Sequence, residues 1–519
     1  MSPRHFARHL AAIVCLPALL AVGAQSLVAQ QSGAEVARAF REANGPRILR
    51  EYAELLSIPN VASDSAGIWR NAEYIRDELA ERGVESRLLS LPGANPIVFG
   101  ELRVPGATRT LGLYVHYDGQ PADPANWTHA PWEPVFYTRS MEAGGEPRAQ
   151  PSDGEPVDPE WRIYGRSAGD DKTPIGAMLP VLEAFQEGGI TPTSNLIFFF
   201  EGEEEAGSQN LGRYLEEFGD LIDDIDVWLL FDGPVHQSGR PLLSFGVRGV
   251  TGMEVTVYGP IRPLHSGHYG NWVPVPGQMM AHLLASMKDE TGKVLVEGFY
   301  DTVEPLGEKE TEALRNLPNY DEELKRELGL AWTEGEGATL PERLQLPSLT
   351  VRGLTSGNTG RLARNVIPST ATAAIGIRLV KGNDPGHMRE LVEAHIRGQG
   401  YHIVREDPDM DTRLRYPKVA KVTGGGGYPA ARSSMDLPIL REVVEAAKRA
   451  AGDDDVVLSP GSGGSLPLYL FTEGLRKPIL MVPIANHDDL QHAPDENLRV
   501  WNLWYGIDLY AQLFTMPGD

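Results

Sequence analysis

The sequence has one cysteine, Cys15, among its 519 residues. Cys15 lies in an apolar run at residues 10–22, which follows two arginines and ends at a Gly-Ala pair. This order of basic, apolar and small residues is typical of a signal peptide. We therefore predict that residues 1–24 are removed and that the chain is exported to the periplasm or the extracellular space. A buried N-terminal helix is the alternative. Without the leader the chain has no thiol, which excludes cysteine nucleophiles, thiolate metal sites and disulfide bonds.

Long apolar runs are missing from the rest of the sequence, and none approaches the roughly 18 residues that a membrane-spanning helix needs. The mature chain is therefore expected to have no membrane span. Positive charge is also scarce, since 47 Lys and Arg residues face 71 Asp and Glu residues for a net charge of −24. This acidic balance argues against nucleic acid as a partner. His, Asp and Glu remain as possible metal ligands.

The length exceeds what one core usually holds, so more than one domain is expected. Helical and strand-like segments alternate over residues 34–245, which predicts the first part of an α/β domain. Helices are predicted at 41–56, 71–82 and 172–187, and a surface loop is predicted at 140–160. The apolar runs 196–200 and 227–231 predict central strands, because strands buried on both faces are apolar at successive positions.

Residues 246–432 have a different character and predict an inserted second domain. Met253, Val255 and Val257 alternate as in a half-buried strand. An acidic helical region is predicted at 302–328, a strand at 371–379 and a flexible link at the glycine run 424–427. Helix and strand patterns return over residues 433–519, as though the chain rejoined the first sheet.

Histidine and acidic residues follow the predicted strands. His116 and Asp118 stand at the end of an apolar strand, and residues two apart share one face of a strand. An imidazole that binds a metal usually donates its other N–H to a carboxylate; a buried structural His-Asp pair is the alternative. Asp232 stands in the same way at the end of the strand at 227–231. His116 and Asp232 are therefore candidates for metal ligands.

Two acidic clusters extend this pattern. Asp170 and Asp171 precede the helix at 172–187, where a carboxylate suits either a helix cap or a bridge between two cations. The strand at 196–200 is followed by Glu201, Glu203, Glu204 and Glu205. Clustered carboxylates at the end of a buried strand are costly unless positive charge lies among them. Solvated charge with helix capping is the alternative here.

Two histidines near the C-terminus compete for a ligand role. His487 and His492 both follow the apolar run 479–484, and position alone does not choose between them. Open α/β sheets place their sites at the carboxyl ends of strands. The combination of these strand ends predicts a metal site more strongly than any single motif.

Four motifs carry a family resemblance: Tyr-Gly-Arg at 164–166, Glu-Gly-x-Glu-Glu-x-Gly-Ser at 201–208, Phe-Gly-Val-Arg-Gly at 245–249 and Leu-His-Ser-Gly at 264–267. In this order they resemble the dinuclear zinc metallopeptidases that include carnosinase, cytosolic non-specific dipeptidase, carboxypeptidase G and aminoacylase. The carnosinase-like dipeptidases are the most similar branch. The resemblance implies an α/β catalytic domain with a mostly parallel central sheet flanked by helices, and an inserted α+β lid that also makes a homodimer contact.

The resemblance also implies two divalent metal ions, with Zn²⁺ expected first and Mn²⁺ or Co²⁺ as alternatives. The implied ligands are His116, Asp170, Glu205, Asp232 and His492. His492 is preferred to His487 because Ala-Pro-x-Glu follows it. Asp118 is expected to orient His116, and Glu204 is expected to act as the general base.

Further residues resemble the family's substrate contacts. His265 resembles the lid histidine that polarises the scissile carbonyl, often from the partner subunit. Arg378 resembles the arginine that grips the substrate carboxylate, since a guanidinium can bind a carboxylate through two hydrogen bonds. Asn365, Gly464 and Ser465 resemble residues that assist it.

The implied activity is hydrolysis of a peptide bond beside a free carboxylate, by water activated between two zinc ions. An amidohydrolase acting on N-acyl amino acids is the nearest alternative, because pocket shape alone separates the two. A metal-containing binding protein without activity is the alternative of another class. Ser167 and Thr173 stand where the family commonly has glycine, so the backbone there is expected to differ slightly.

Overall fold

The computed structural model describes residues 32–452 and 456–517. The predicted signal peptide with Cys15 lies outside these residues. Within the part of the chain that is described, no helix combines the length and the apolar character needed to cross a membrane.

Helices and strands alternate up to residue 244. In chain order they are α1 (Gly33–Leu56), α2 (Ser65–Glu81), β1 (Glu85–Leu89), β2 (Ile97–Leu102), β3 (Thr110–His116), β4 (Val135–Tyr137), β5 (Pro147–Arg148), β6 (Arg162–Tyr164), α3 (Thr173–Gly188), β7 (Asn195–Glu201), α4 (Leu211–Glu217), β8 (Val227–Leu230) and β9 (Leu242–Ser244).

The middle of the chain contains β10 (Gly246–Val247), β11 (Gly249–Tyr258), β12 (Leu264–His265), α5 (Ser266–Tyr269), α6 (Pro276–Met287), α7 (Glu308–Asn316), α8 (Asp321–Glu327), α9 (Leu340–Leu344), β13 (Ser348–Thr355), β14 (Val366–Ile367), β15 (Thr370–Leu379), α10 (Pro385–Gly398), β16 (His402–Val404), α11 (Met410–Arg415) and β17 (Val419–Thr423). The last part contains β18 (Ala431–Arg432), α12 (Pro438–Ala451), β19 (Val457–Ser459), β20 (Ile479–Met481), β21 (Asn497–Arg499) and α13 (Val500–Phe514).

The larger sheet combines strands from both ends of the chain in the order β1-β2-β7-β3-β8-β20-β9-β19. Its centre is parallel, since β3 runs parallel to β7 and β8, and β8 runs parallel to β20. β2 is antiparallel to β7, and β9 is antiparallel to β20. The carboxyl ends of β7, β3, β8 and β20 therefore meet at one edge of the sheet.

Both faces of this sheet are buried. Leu196, Phe198 and Phe200 of β7 belong to the core that also contains α1, α3 and α13. The alternate residues Ile197 and Phe199 belong to the opposite core, with residues of α4. Because successive side chains of a strand point to opposite faces, burial on both sides requires an unbroken apolar run. The predictions of central strands at 196–200 and 227–231 are confirmed.

The middle of the chain forms a second sheet, ordered β13-β15-β11-β17-β16, with its own core. β11 pairs antiparallel with β15 from Gly249 opposite Leu379 to Tyr258 opposite Thr370. β10 and β18 pair with each other where the chain enters and leaves this segment. The domain limits at 245/246 and 432/433 stay a prediction.

The prediction of one helical region at 302–328 is wrong. α7 ends at Asn316 and α8 begins only at Asp321, with Pro318 between them. Proline has no backbone N–H and moves the residue before it away from the helical conformation. Leu317 accordingly has φ −60° and ψ 136°. The loop predicted at 140–160 contains the short strand β5, which pairs with β4.

Candidate metal centre and active site

Candidate ligands come together at the carboxyl edge of the larger sheet. His116 is the last residue of β3 and lies opposite Glu201, the last residue of β7. Asp232 follows the neighbouring strand β8, and it is buried. Parallel strands that end at the same edge bring these side chains from distant parts of the sequence into one place.

Asp170 lies between two histidines. Its Oδ1 is 3.0 Å from Nε2 of His116, and its Oδ2 is 3.0 Å from Nε2 of His492. Two groups of side chains in the described part of the chain have possible ligand atoms within 4.8 Å of one another, and both include Asp170. The first group is His116, Asp170 and Asp232, and the second is Asp170, Glu205 and His492. This arrangement is that of a carboxylate shared by two cation sites.

Neither aspartate caps the following helix. The residue before α3 is Lys172, which makes no capping hydrogen bond through its side chain. The side-chain nitrogen of the buried Lys172 instead donates to the carbonyl oxygens of Leu55 and Ile58. Asp171 accepts a hydrogen bond from the backbone N–H of His116 at 3.3 Å. Asp170 is thus left to face the histidines.

The loop that carries Asp170 is held by Glu496, which is fully buried. One oxygen of Glu496 accepts hydrogen bonds from the backbone N–H groups of Gly169 and Asp170, at 2.8 and 2.9 Å. The other accepts from the N–H of Ser167 at 3.1 Å and from the Arg166 guanidinium at 2.6 Å. Burial and the charge of Asp170 raise the pKa of Glu496 to about 7, although Arg166 opposes them. Sequence reasoning missed this role, although Glu496 stood in the Ala-Pro-x-Glu motif.

Asp118 connects His116 to the glutamates. The Nδ1 atom of His116 is 3.2 Å from the carbonyl oxygen of Asp118 and 3.5 Å from its Oδ1. The two carboxylate oxygens of Asp118 accept the backbone N–H groups of Glu204 and Glu205, each at 3.0 Å. One buried carboxylate therefore positions both the imidazole and the loop that follows β7.

The clustered glutamates have separate environments. Oε2 of Glu204 lies 3.9 Å from Nε2 of His116, while Oε2 of Glu205 lies 3.3 Å from Nε2 of His492. Glu203 turns away and accepts the backbone N–H groups of two asparagines, Asn95 and Asn210. Glu201 is buried and accepts hydrogen bonds from the hydroxyls of Tyr114 and Ser208.

Protonation of the cluster reflects its burial and its charges. Burial and the charge of Asp170 raise the pKa of Asp232 to about 7. Burial also raises the pKa of Glu204 well above its ordinary value, and the charges of Asp232 and Glu205 add to this effect while His116 opposes it. Hydrogen bonds to Asp170 and Glu205 raise the pKa of His492 to about 10. Burial would raise the pKa of Asp170, but its hydrogen bonds with His116 and His492 outweigh it and lower the pKa.

These observations fit two divalent cations. Several buried carboxylates converge on one place, and the nearest positive groups are imidazoles that must be protonated to carry charge. Imidazole nitrogen and carboxylate oxygen are ligands that Zn²⁺, Mn²⁺ and Co²⁺ accept. The side chains that would hold the ions are His116, Asp170, Glu205, Asp232 and His492. His487 lines a different cavity, with Arg162 and Asp488.

A cavity of about 510 Å³ opens onto this cluster, and Gly464 and Ser465 line it together with Glu204. Arg378 of β15 does not itself line the cavity, but it donates a hydrogen bond to the hydroxyl of Ser465, which does. Tyr428 also lines the cavity. Sequence reasoning did not single out Tyr428, and nothing in the pattern around it marked it.

His265 and Asn365, two residues predicted to contact the substrate, lie away from this cavity. His265 is exposed on β12, and its Nδ1 accepts the N–H of Gly267 at 3.1 Å. Asn365 lies beside it, since its carbonyl oxygen accepts the N–H of Ser266 at 3.0 Å. Neither side chain lines the cavity of its own chain.

Known proteins are similar to this chain in sequence and in fold. The chain is 27% identical over 481 residues to the Cys-Gly metallodipeptidase of Candida albicans, which covers 88% of the chain and 92% of that protein. It is 27% identical over 430 residues to the human Beta-Ala-His dipeptidase, covering 81% of the chain and 77% of the relative. A crystal structure of a metallo-carboxypeptidase of the M20 family from Sulfolobus solfataricus superposes with a TM-score of 0.71 at 27% identity, covering 90% of this chain and 98% of the other.

The family comparison agrees with the geometry. The family described as peptidase family M20/M25/M40 matches residues 112–516. This range contains every candidate ligand and, of the two larger sheets, every strand except β1, β2 and the first two residues of β3. The chain belongs to peptidase family M20/M25/M40 and is a hydrolase of peptide bonds that uses divalent metal ions.

Proposed function

We propose that the chain is an exported dipeptidase or carboxypeptidase that uses two Zn²⁺ ions to cleave a peptide bond next to a free carboxylate. The observation that carries this proposal is the sharing of Asp170 between two groups of ligands at the cavity. The dipeptidase activities named for the two relatives support the choice of substrate. Export rests on the signal-peptide pattern of residues 1–24, and N-terminal sequencing of secreted protein tests it.

Two divalent ions, when bound, supply the charge that makes water acidic and a carbonyl carbon electrophilic. Glu204 is the base in our proposal. Its carboxylate lines the cavity and lies 3.9 Å from His116, beside the ligand cluster but outside both ligand groups. Glu204 takes a proton from the attacking water and gives it to the leaving amine.

Arg378 binds the substrate carboxylate in this proposal. Its guanidinium donates a hydrogen bond to the hydroxyl of Ser465, which lines the cavity. The loop of Gly464 and Ser465 is itself held by the second sheet, because the N–H of Arg248 donates to the carbonyl oxygen of Gly464 at 3.0 Å. A substrate carboxylate held here would lie along the same cavity as the metal ligands.

We name residues 246–432 the lid and propose that it forms a homodimer. β13 is an edge strand of the second sheet, and its residues 350–355 are exposed. Edge strands offer unpaired backbone groups to a second chain. His265 and Asn365 lie on the lid without lining their own cavity, and in our proposal a second copy brings its His265 to the scissile carbonyl. Mixing His265→Ala and Glu204→Gln chains tests this: a mixed dimer regains activity if His265 acts across subunits and stays inactive if it does not.

A substrate screen tests the activity itself. Metal-loaded protein is expected to cleave dipeptides faster than N-acetyl amino acids. Turnover of N-acetyl amino acids alone would favour an amidohydrolase, and metal binding without turnover of either class would favour a binding protein. Glu204→Gln should keep its metal and lose about 10²- to 10⁴-fold in kcat, the usual contribution of a general base. Glu187→Gln, an exposed glutamate at the end of α3, is the matched control. Near-normal turnover by Glu204→Gln would refute the assigned role.

A further inference from the structure

The cavity changes character along the sheet. Its metal side lies over the ends of β7, β3 and β8, and the next strands in the sheet are β20 and β9. The charged side chains that line the cavity, among the described residues, are Asp170, Glu204, Glu205, Asp232 and His492. All of them already serve the metal ions or the proton transfer. No charged group of the described lining remains to meet a substrate side chain.

The rest of the cavity lining is largely apolar, although Ser244, Ser462 and Gln491 also belong to it. We define the apolar wall as Leu242, Tyr428, Leu466, Pro467, Met481 and Pro483. Met481 of β20 lies opposite Ser244 of the antiparallel strand β9. Because alternate residues share a face, Leu242 and Pro483 lie on the same side as this pair. Leu242, Met481 and Pro483 thus continue the line of strand ends beyond Asp232, and Tyr428, Leu466 and Pro467 come from loops.

Tyr428 joins the wall to the carboxylate-binding loop. Its hydroxyl donates to the carbonyl oxygen of Ser465 at 2.8 Å, and its ring stacks on Tyr469 with centroids 6.0 Å apart. The preceding residue, Gly427, has φ +96°, and a Cβ there would lie 2.1 Å from the carbonyl oxygen of Val250. Only glycine permits this close approach, which lets Tyr428 pair with Val250 and present its ring to the cavity.

We propose that this cavity selects substrates with an apolar side chain next to the scissile bond and discriminates against charged ones. The inference rests on the proposed function. Leu466 and Pro467 directly follow Ser465, so a substrate whose carboxylate binds Arg378 and Ser465 lays its side chain against the wall. An apolar side chain gains by leaving water there, whereas a charged one would lose its hydration without finding a partner.

The test compares kcat/KM values of four dipeptides: Leu-Gly, Gly-Leu, Glu-Gly and Gly-Glu. We expect the kcat/KM of the leucine dipeptide to exceed that of the matching glutamate dipeptide by at least about tenfold in one of the two positions. One methylene in an apolar pocket already changes kcat/KM by about 10- to 200-fold. The comparison of Leu-Gly with Glu-Gly and that of Gly-Leu with Gly-Glu show which side of the scissile bond faces the wall. Equal rates for leucine and glutamate in both positions would overturn the proposal.

Leu242→Arg places a cation on the wall and should lower the leucine-to-glutamate ratio at least about tenfold. The ratio of kcat/KM for two substrates measured on one preparation does not depend on the folded fraction. Leu466→Arg provides the same test from a different loop of the wall. Leu414→Ala changes an exposed leucine of α11 and should leave the ratio unchanged. An unchanged ratio in both arginine variants would contradict the assignment of the wall.

Binding separates this inference from the proposed activity. Metal-loaded Glu204→Gln should bind the preferred leucine dipeptide at least about tenfold more tightly than its glutamate counterpart in calorimetry. If the wild type turned over no dipeptide while Glu204→Gln still bound the leucine dipeptide more tightly, the proposed peptidase activity alone would be refuted. Turnover of dipeptides without any preference would refute the apolar wall alone.

Discussion

Replacing Asp170 provides the sharpest test of the metal centre. Each ligand group contains two carboxylates and one imidazole, and Asp170 is the only member that they share among the described residues. Asp170→Asn therefore removes one of the two negative charges from both groups at once. Asp232→Asn removes a charge only from the group that contains His116. The two variants should differ in how many ions they lose, although each changes a single atom.

The number of ions that each variant loses should equal the number of ligand groups to which the replaced residue belongs. Mutating a residue that merely supports a ligand weakens metal binding about 10- to 100-fold, so removal of a ligand should cost more than that. We expect two tightly bound ions per chain in the wild type, none in Asp170→Asn and one in Asp232→Asn. Metal content after dialysis and zinc titration of stripped protein by calorimetry measure these numbers.

Asp407→Asn is the control, because Asp407 is an exposed carboxylate that pairs with Lys421 on the lid. It should retain both ions. Circular dichroism of the metal-free variants shows whether each has folded. Retention of a tightly bound ion by folded Asp170→Asn, or loss of both ions from folded Asp232→Asn, would refute the shared-carboxylate arrangement.

Two further predictions concern protons and the Asp170 loop. Zinc binding to stripped protein should release more protons at about pH 6 than at about pH 8, because His492 and Asp232 must be deprotonated to bind the metal. His492, with a pKa of about 10, releases a proton at both pH values. Asp232, with a pKa of about 7, releases a further proton mainly at the lower pH. Calorimetry in buffers of different ionisation enthalpy measures this, and equal release at the two values would contradict it. Glu496→Gln replaces one accepting oxygen by an NH2 group, which cannot accept the hydrogen bonds that this oxygen receives. Both ions should therefore bind about 10- to 100-fold more weakly. Zinc titration beside the exposed control Glu160→Gln checks this, and unchanged affinity would show that Glu496 does not position Asp170.

The fold could be predicted where the local pattern and the tertiary environment agree. The runs at 196–200 and 227–231 are apolar at every position, and only a strand buried on both faces in the centre of a sheet needs that pattern. The helix at 172–187 was predicted within one residue at each end. The prediction of one helical region at 302–328 is wrong because Pro318 interrupts a segment whose composition otherwise favours a helix.

The site was harder, because neighbouring residues of the same type have different roles. Asp170 and Asp171 are adjacent, yet one faces two histidines and the other accepts a backbone N–H. Their side-chain directions depend on the loop conformation, which Glu496 holds from more than 300 positions away. A pattern within the sequence does not contain such a contact.

The sequence by itself determined which chemistry was available: a single cysteine, and histidines and carboxylates at the ends of apolar strands. It also carried enough ordered motifs to indicate a family. Only the tertiary structure decided which of these groups meet. His487 and His492 are five residues apart in one loop, and His492 joins Asp170 and Glu205 while His487 lines another cavity. The physical reason is that a metal site depends on distances of a few ångströms between groups brought together from distant strands, whereas a sequence records only the order in which those strands follow one another.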